Sequence, residues 1–251
     1  ISFLNNYCEK KMKTIAIIPA RGGSKRLPQK NVLPLAGLPL LVHSIRYALA
    51  NSEIIDAVYV STDDVAIKEI AIANGAQVID RPKDISGDLE PTVSALKHVL
   101  ESIEDEVENV VLLQPTNPLR PERLLKEAFE RYCKGNYDSL FTVTRNHQKF
   151  GKIIGNTFQP FNYKLGQRSQ DLEPLFYENG LLYITKASLI LPLDLACPER
   201  SRRARDDSKI ISENAFPFEV NHIFATVDID TLEDFEYAEY LIDKVSRLRS
   251  T

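Results

Sequence analysis

The chain has 251 residues, of which 43% are hydrophobic and 26% charged, and its formal net charge is −4 at pH 7. This length suffices for one sizeable core, and the acidic balance provides no basic field that would favour nucleic acid as a partner. No apolar run approaches the roughly 20 residues of a membrane span, and three widely spaced cysteines indicate neither a zinc site nor disulfides, so a cytoplasmic protein is expected.

The first predicted element begins just after Met12, the only methionine, which we interpret as the natural start. Residues 1–12 are therefore expected to form a disordered extension, and residues 13–251 a single domain. The extension does not resemble a signal peptide, because no apolar stretch follows a basic start.

Strands and helices alternate along the first two-thirds of the chain. The predicted strands are residues 14–19, 57–61, 77–79, 109–113 and 139–144. The predicted helices are residues 40–50, 64–74, 92–103 and 121–133. This alternation predicts βαβ units and a mostly parallel sheet, in which ligands bind at the carboxyl ends of the strands. Residues 20–31, 62–64 and 114–120 follow strands directly, so these loops are expected to form the site.

The loop after the first strand is rich in glycine and positive charge. It carries Gly22, Gly23, Arg21, Lys25, Arg26 and Lys30. Glycines let the backbone approach phosphate oxygens and direct N–H groups at them, while the cations offset negative charge. The spacing matches neither the Walker A motif nor the dinucleotide fingerprint. The loop is therefore predicted to bind phosphates in its own way.

Residues 114–120 form a rigid polar loop. Pro115 and Pro118 restrict its backbone, and the side chains of Gln114 and Thr116 can donate and accept hydrogen bonds. A fixed donor–acceptor pair rejects wrong bases or sugars. The segment is thus a candidate for recognition of a base or sugar, although an ordinary turn explains the same residues.

Asp228 and Asp230 end the strand-like residues 225–230. Because strand side chains alternate, both carboxylates are expected to point the same way. Two carboxylates near a phosphate loop suit Mg²⁺ held partly by substrate phosphates. The D-x-D pattern is common by chance, so the motif does not establish a metal site by itself. A final helix is predicted at 232–248, with Thr231 and Asp234 at its start.

The pattern changes after about residue 150. Short β-like segments at 152–158 and 176–184 predict a small subdomain inserted at 146–192. Residues 193–209 are rich in arginine and lack apolar periodicity, which favours a solvated surface insertion over an anion-binding patch.

Two further groups of polar residues are candidates for the site. Asp88 and Thr92, near the polar loop that begins at Arg81, suit either a site or the cap of the following helix. Other polar residues lie among glycines and aromatics in the second half, consistent with recognition of a polar, acidic substrate. These are Lys149, Arg168, Gln170 and Asn179.

Five motifs occur in the order found in one enzyme family. They read ARGGSKRLPQKN, RPKDISGD, LLQPTNPLR, QRSQDLEPLFYENGLLYI and TVDIDTLEDF. Together they resemble the acylneuraminate cytidylyltransferases, which act on sialic, legionaminic and pseudaminic acids. The resemblance implies a Rossmann-like three-layer α/β nucleotidyltransferase with a mostly parallel sheet, a small inserted dimerisation subdomain and a homodimeric state. It also implies Mg²⁺-dependent transfer of CMP from CTP to the anomeric hydroxyl of an acidic nine-carbon sugar, with release of pyrophosphate.

The resemblance also implies roles for individual residues. Those expected to bind CTP are Ala20, Arg21, Gly22, Ser24, Lys25, Lys30, Asn31, Arg81 and Ser86. Those expected to contact the sugar acid are Gln114, Lys149, Arg168, Gln170 and Asn179, with Arg168 suited to the carboxylate. Asp228 and Asp230 would hold the metal, and the catalytic residues would be Arg21, Lys30 and Asp228.

Three departures from the family pattern leave alternatives open. Arg26-Leu27-Pro28 is similar to the cytidylyltransferases of an eight-carbon octulosonic acid, Ser169 separates Arg168 from Gln170, and the arginine-rich segment has no counterpart. The alternatives are CMP transfer to an eight-carbon acid, a glycosyltransferase of similar fold that uses the D-x-D pair, and an inactive binding protein.

Overall fold

A computed structural model describes residues 13–191 and 209–249. The strands are β1 (Lys13–Pro19), β2 (Pro34–Leu35), β3 (Leu38–Pro39), β4 (Ala57–Thr62), β5 (Gln77–Asp80), β6 (Val107–Leu112), β7 (Ser139–Arg145), β8 (Gly151–Ile154), β9 (Thr157–Pro160), β10 (Phe176–Lys186) and β11 (Ala215–Glu219). The helices are α1 (Leu40–Leu49), α2 (Val65–Ala73), α3 (Thr92–Ser102), α4 (Leu124–Lys134), α5 (Ala187–Ile190) and α6 (Leu232–Arg249). The strands and helices predicted for the first two-thirds are therefore present, although α4 begins three residues later than predicted.

Seven strands form the central sheet in the order β11-β7-β10-β6-β1-β4-β5. Strand β10 runs antiparallel to both of its neighbours, and the other pairs are parallel. The prediction of a mostly parallel α/β sheet is confirmed.

Helices cover both faces of this sheet, and β1 shows why. Ile15 and Ile17 pack with residues of α3 and α5, whereas Ala16 and Ile18 pack with residues of α1, α2 and α4. Successive strand residues point to opposite faces, so an uninterrupted apolar run is buried on both sides. The result is the predicted three-layer arrangement.

Strands β10 and β11 correct the predicted boundary between core and insertion. The sequence pattern predicts that the segment 176–184 belongs to the inserted subdomain, but β10 lies inside the central sheet, between β6 and β7. Strand β11 was not predicted; its sequence, AFPFE, contains a proline, which suits its place at the edge of the sheet. The predicted segment 152–158 forms the two-stranded β8–β9 hairpin.

The strand predicted at 225–230 is wrong. Residues Ile223–Thr226 form a 3₁₀ helix, and the next residues pair with no strand in the described part of the chain. Val227 and Ile229 are instead buried in a third apolar cluster, which includes Phe235 of α6. Alternating burial against a helix and loops produces the same sequence pattern as a strand. The segment is tied to the polar loop 114–120 by the Ile229 amide, which donates to the Thr116 carbonyl at 2.8 Å.

Thr231 and Asp234 cap α6 as predicted. The Thr231 amide donates to Asp234 Oδ2 at 2.8 Å, and the Asp234 amide donates to Thr231 Oγ1 at 3.3 Å. This reciprocal pair satisfies amides that have no partner inside the helix.

Two predictions concern segments outside the described residues: the extension at 1–12 and nearly all of the insertion at 193–209. Within the described ranges, no helix combines the length and apolar character needed to cross a membrane.

Arg120 anchors the polar loop to the core. Its side chain is buried and donates to the Leu181 carbonyl at 2.6 Å, the Gln114 carbonyl at 2.8 Å and Ser44 Oγ at 3.0 Å. Burial lowers the pKa of the guanidinium to about 10, so it remains charged at neutral pH. One side chain thus joins β10, α1 and the start of the loop.

We expect Arg120→Ala to lower the free energy of unfolding by about 3 kcal/mol, because two buried acceptors and one partly buried acceptor lose their donor. Chemical denaturation measures the loss. The matched control is Arg123→Ala, which removes a side chain that is 79% exposed and should change stability by less than about 0.5 kcal/mol. Equal effects of the two substitutions would contradict the anchoring role.

Candidate active site

Four loops meet at the carboxyl edge of the sheet, after β1, β4, β5 and β6. The Ala20 amide donates to the Ser61 carbonyl at 2.9 Å, and the Arg81 amide donates to the Thr62 carbonyl at 2.7 Å. The Gly22 amide donates to Asp63 Oδ1 at 3.0 Å. These bonds join the loops after β1, β4 and β5, and Pro115 and Thr116 of the loop after β6 line a cavity together with Arg21. The predicted convergence of the loops 20–31, 62–64 and 114–120 is therefore present.

A cavity of about 520 Å³ lies over the glycine-rich loop; we call it the phosphate cavity. Its charged lining residues are Arg21, Lys25, Arg26, Lys30, Asp88 and Asp230. Four positive and two negative side chains leave a formal charge of +2. Such a surplus around a concave surface attracts anions with several charges.

Lys30 and Asp230 form the most buried ion pair of this cavity. The Lys30 side chain is 10% exposed, and its Nζ lies 2.9 Å from Asp230 Oδ1 and 2.8 Å from the Ile229 carbonyl. Arg26 pairs with the other oxygen of Asp230 at 2.7 Å. The ammonium has three donors, so one donor of Lys30 remains for a ligand beyond these two bonds.

Asp88 pairs with the other two cations of the loop. Its Oδ1 lies 2.7 Å from Arg21 Nη1, and its Oδ2 accepts a short hydrogen bond from Lys25 Nζ. These contacts lower the pKa of the Asp88 carboxyl, and the hydrogen bond from Lys25 is the largest cause. Helix α3 has Pro91 at its N-cap and no side-chain cap among the described residues, so the capping role considered for Asp88 and Thr92 is wrong.

Some residues predicted to bind CTP hold the loop itself. The Ala20 side chain is buried in the core, and Asn31 Nδ2 donates to the Arg21 carbonyl at 3.0 Å. The Gly22 amide is engaged by Asp63, so the structure shows no free amide there directed at a ligand. A Cβ at Gly22 would lie 2.6 Å from Asp64 Oδ2, and this close approach is the physical reason for glycine. Ser24 lines the phosphate cavity.

A second cavity of about 220 Å³ adjoins the first, and we call it the nucleoside cavity. Arg81 lines it, and its Nε and Nη2 donate to Ser61 Oγ and the Ser61 carbonyl. Burial, together with the nearby Arg21 charge, lowers the pKa of Arg81. Ser86 does not line this cavity; its Oγ donates to the Pro82 carbonyl at 2.8 Å and closes a turn.

A third cavity of about 350 Å³ shares Gln114 with the nucleoside cavity, and we call it the acceptor cavity. Asp228 lines it, whereas Asp230 lines the phosphate cavity. The two carboxylates of the D-x-D motif therefore serve neighbouring cavities. Desolvation, with the negative charge of Asp230 adding to it, raises the pKa of Asp228, and a hydrogen bond with Thr116 acts in the opposite direction.

Asn179 also lines the acceptor cavity, but its amide is largely committed to the protein. Its Oδ1 accepts from Thr142 Oγ1 and the Leu181 amide, and its Nδ2 donates to Thr144 Oγ1. The neighbouring Gly180 has φ +74°, and a Cβ there would lie 2.6 Å from Asn117 Oδ1. Asn179 thus shapes the cavity wall more than it offers free donors.

The remaining predicted sugar-binding residues lie apart from these cavities. Lys149 Nζ donates to the Gln167 carbonyl, and Arg168 forms two bonds to Asp171 at 2.7 and 2.9 Å. Gln170 is exposed in a short 3₁₀ helix. A larger cavity of about 950 Å³ shares Tyr177 and Thr226 with the acceptor cavity, but none of these three residues lines it.

The sequence pattern assigned no individual role to several residues of the site. Asp63 and Asn117 hold the loops, and Tyr177 and Tyr183 line the acceptor cavity. Asn117 is 1% exposed and donates to the Asn179 and Val227 carbonyls. Such contacts join residues up to 110 positions apart, and no local pattern signals them. The available indications are the positions of Asp63 and Asn117 in the predicted loops and of the tyrosines near Asn179.

Comparison with known proteins identifies several similar sequences. A family model described as "Cytidylyltransferase" matches residues 15–249. The N-acylneuraminate cytidylyltransferase of Streptococcus agalactiae serotype III (strain NEM316) is 33% identical over 231 residues, which cover 89% of this chain and 52% of that protein. The chain thus spans about half the length of this relative. The pseudaminic acid cytidylyltransferase of Campylobacter jejuni serotype O:23/36 (strain 81-176) is 31% identical, with 92% and 96% covered.

Two solved structures share the fold. A CMP:2-keto-3-deoxy-manno-octonic acid synthetase complexed with CTP superposes with a TM-score of 0.67 at 20% identity, covering 92% of this chain and 99% of that one. A 4-diphosphocytidyl-2C-methyl-D-erythritol synthase superposes with a TM-score of 0.63 at 15% identity, with the same coverage. At such identities the similarity supports the fold alone.

We expect Gly22→Ala to lower the free energy of unfolding by about 1–3 kcal/mol, because the loop must move away from Asp64. It should also weaken binding of inorganic pyrophosphate to the phosphate cavity. Urea denaturation and titration calorimetry measure the two effects. The matched control is Gly23→Ala, whose Cβ would meet no atom within 4 Å. If both variants behave alike, the close approach at Gly22 does not shape the loop.

Proposed function

The chain belongs to the cytidylyltransferase family, and on that premise we propose that it transfers CMP from CTP to the anomeric hydroxyl of a nine-carbon 2-keto sugar acid, releasing pyrophosphate. One observation carries the proposal: a cationic phosphate cavity joins a nucleoside cavity, which joins an acceptor cavity at Gln114. Relatives named for N-acylneuraminate and pseudaminic acid support the nine-carbon acceptor.

We assign the triphosphate to the phosphate cavity. Arg21, Lys25 and Lys30 would bind its oxygens, with Arg21 and Lys30 as the charges nearest the reaction. In-line attack at the α-phosphorus builds negative charge on the leaving pyrophosphate, and fixed cations stabilise that charge. Lys30 suits this role because its ammonium is already held in place by Asp230 and the Ile229 carbonyl. Arg81 would line the space that the nucleoside occupies.

We assign the sugar acid to the acceptor cavity. Gln114 lies between the nucleoside and acceptor cavities, so its amide would orient the sugar beside the α-phosphorus. Asp228 would accept the hydrogen bond of the attacking hydroxyl and fix its direction. The adjoining cavity of about 950 Å³ offers room for the longer chain of a nine-carbon acid.

A divalent metal fits the donor set. No group of three or more metal-binding side chains occurs in the described ranges, so the protein alone offers Mg²⁺ few ligands. Mg²⁺ is commonly held by one or two carboxylates plus substrate phosphates, and Asp230 in the phosphate cavity and Asp228 in the neighbouring acceptor cavity would supply them. When bound, the metal would neutralise phosphate charge. Asp230 would then exchange part of its contact with Arg26 or Lys30 for the metal.

Two rival activities have less support. Transfer to an eight-carbon acid rests on Arg26-Leu27-Pro28 and on a structural likeness at 20% identity. A glycosyltransferase would use the D-x-D pair on a nucleotide diphosphate sugar. In this chain Asp230 pairs with two loop cations, and the surplus positive charge beyond it suits a triphosphate.

We also propose that the protein is a homodimer. Exposed apolar side chains concentrate around the β8–β9 hairpin and the segment that leads to β10. They are Phe150, Ile153, Ile154, Phe158, Phe161, Leu165, Phe176 and Tyr177. Patches of this kind favour burial against a partner. Lys149, Arg168 and Gln170 lie on the same segment. In a dimer, each subunit would bring these three residues to the sugar held in the cavities of the other subunit. We further propose that the enzyme acts in the cytoplasm.

The proposed reaction is tested by pyrophosphate release from CTP with Mg²⁺, across neuraminic, legionaminic, pseudaminic and octulosonic acids. We expect release with a nine-carbon acid and its loss when a chelator removes the metal. Release with none of the acids would contradict the proposal, and release with octulosonic acid alone would establish the eight-carbon alternative.

Arg21→Ala should lower kcat/KM for CTP by roughly 10²–10³-fold, because a charge that stabilises the transition state is lost. Arg123→Ala, in which the removed guanidinium lies on the surface at α4, is the control and should leave the rate unchanged. A near-wild-type rate for Arg21→Ala in a folded protein would refute the assigned role.

Ile153→Asp should convert a dimer into a monomer, because the side chain is 78% exposed and a carboxylate would oppose burial at an interface. Sedimentation velocity measures the mass. Ile72→Asp, at an exposed position of α2, is the control. If Ile153→Asp and the wild type have the same mass, this face is not the interface.

A further inference from the structure

Asp88 occupies an unusual position at the site. Its carboxylate binds Arg21 and Lys25, two cations of the loop that we assign to the triphosphate. The same residue lines both the phosphate cavity and the nucleoside cavity. A nucleotide that extends through the two cavities must pass the point where this carboxylate lies.

Within the described part of the chain, the segment that carries Asp88 has few other contacts, among them a hydrogen bond from Ser94 Oγ of α3 to Glu90 Oε2 at 3.5 Å. It follows the 3₁₀ turn Lys83–Ile85 and ends at Pro91, before α3. Its residues 87–91 are exposed, and Leu89 is 98% exposed. An apolar side chain so fully in water shows that apolar packing does not hold this segment against the protein. The two ion pairs of Asp88 are therefore a main link between the segment and the phosphate loop.

We infer that Asp88 is an internal substitute for the triphosphate. In the free enzyme its carboxylate binds Arg21 and Lys25, and CTP displaces it on binding. The inference rests on the proposed function, because it takes the phosphate cavity to be the CTP site. Asp88 keeps the two cations oriented and neutralised until a more highly charged anion replaces it. After pyrophosphate leaves, the carboxylate returns.

Simple electrostatics makes the exchange feasible. The Asp88 side chain is 30% exposed and that of Lys25 is 83% exposed, so each ion pair contributes little and can open readily. A triphosphate or pyrophosphate carries several negative charges, whereas the Asp88 carboxylate carries one. The ion pairs thus oppose anion binding modestly, and their removal should tighten binding. A residue that merely supported the site would have the opposite effect, because its removal would loosen the cations.

Titration calorimetry with inorganic pyrophosphate, in the presence of a chelator, tests this inference without any turnover. We expect Asp88→Asn to bind pyrophosphate about two- to thirtyfold more tightly than the wild type, as expected for releasing two partly exposed ion pairs. Asp88→Ser is a second variant, with no carboxylate and a smaller side chain. The matched control is Asp105→Asn, which removes a similarly exposed carboxylate that pairs with one cation, Lys13, at the opposite end of β1.

A double-mutant cycle shows whether the effect passes through the loop cation. In a Lys25→Met background, Asp88→Asn should tighten binding by a smaller factor than in the wild type. Unchanged or weaker binding by both Asp88 variants, while the wild type binds pyrophosphate, would overturn the inference and leave the proposed function standing. A wild type that binds neither pyrophosphate nor CTP, in the presence of Mg²⁺ as well as of the chelator, would overturn the proposed function and this inference together.

Discussion

The positive charge of one short loop is the constraint on which the rest of the site depends. Four cations within residues 21–30 repel one another unless anions lie between them, and the chain supplies two carboxylates from distant segments. Asp88 comes from the loop after β5, and Asp230 from the segment before α6. These contacts draw three parts of the chain around one cavity. Because two carboxylates cannot neutralise four cations, the cavity keeps a positive surplus for a ligand.

The segment 227–230 connects this charge to the acceptor side. Val227 and Ile229 are buried beneath α6, which turns Asp228 and Asp230 away from the apolar cluster. Asp230 faces the phosphate cavity and Asp228 the acceptor cavity. A short extended segment thus brings one carboxylate to each cavity, and the rigid loop that begins at Gln114 forms the wall between them. This arrangement suits a transfer in which two substrates must lie side by side.

Local patterns were enough to predict the core of the fold and the loops that carry the phosphate site. The strand β1 and the glycine-rich loop after it can each be predicted from a few neighbouring residues, because the apolar run and the glycines are local patterns. The place of β10 in the sheet and the partner of Asp88 depend on contacts between distant residues, which such patterns do not contain. The error at 225–230 has the same origin, because alternating burial against α6 resembles a strand. Lys149 and Arg168 have other partners than a sugar in this chain, so their predicted roles remain proposals.

The proposed reaction requires that the anomeric hydroxyl of a sugar acid attacks the α-phosphorus of CTP. Its most direct test is ³¹P NMR of the products from CTP, Mg²⁺ and a nine-carbon acid that carries ¹⁸O at the anomeric hydroxyl. Attack by this hydroxyl should give an isotope-shifted phosphorus signal in the CMP-sugar, with the label in the bridging oxygen and none in pyrophosphate. A CMP-sugar without the label, or label in pyrophosphate, would contradict it.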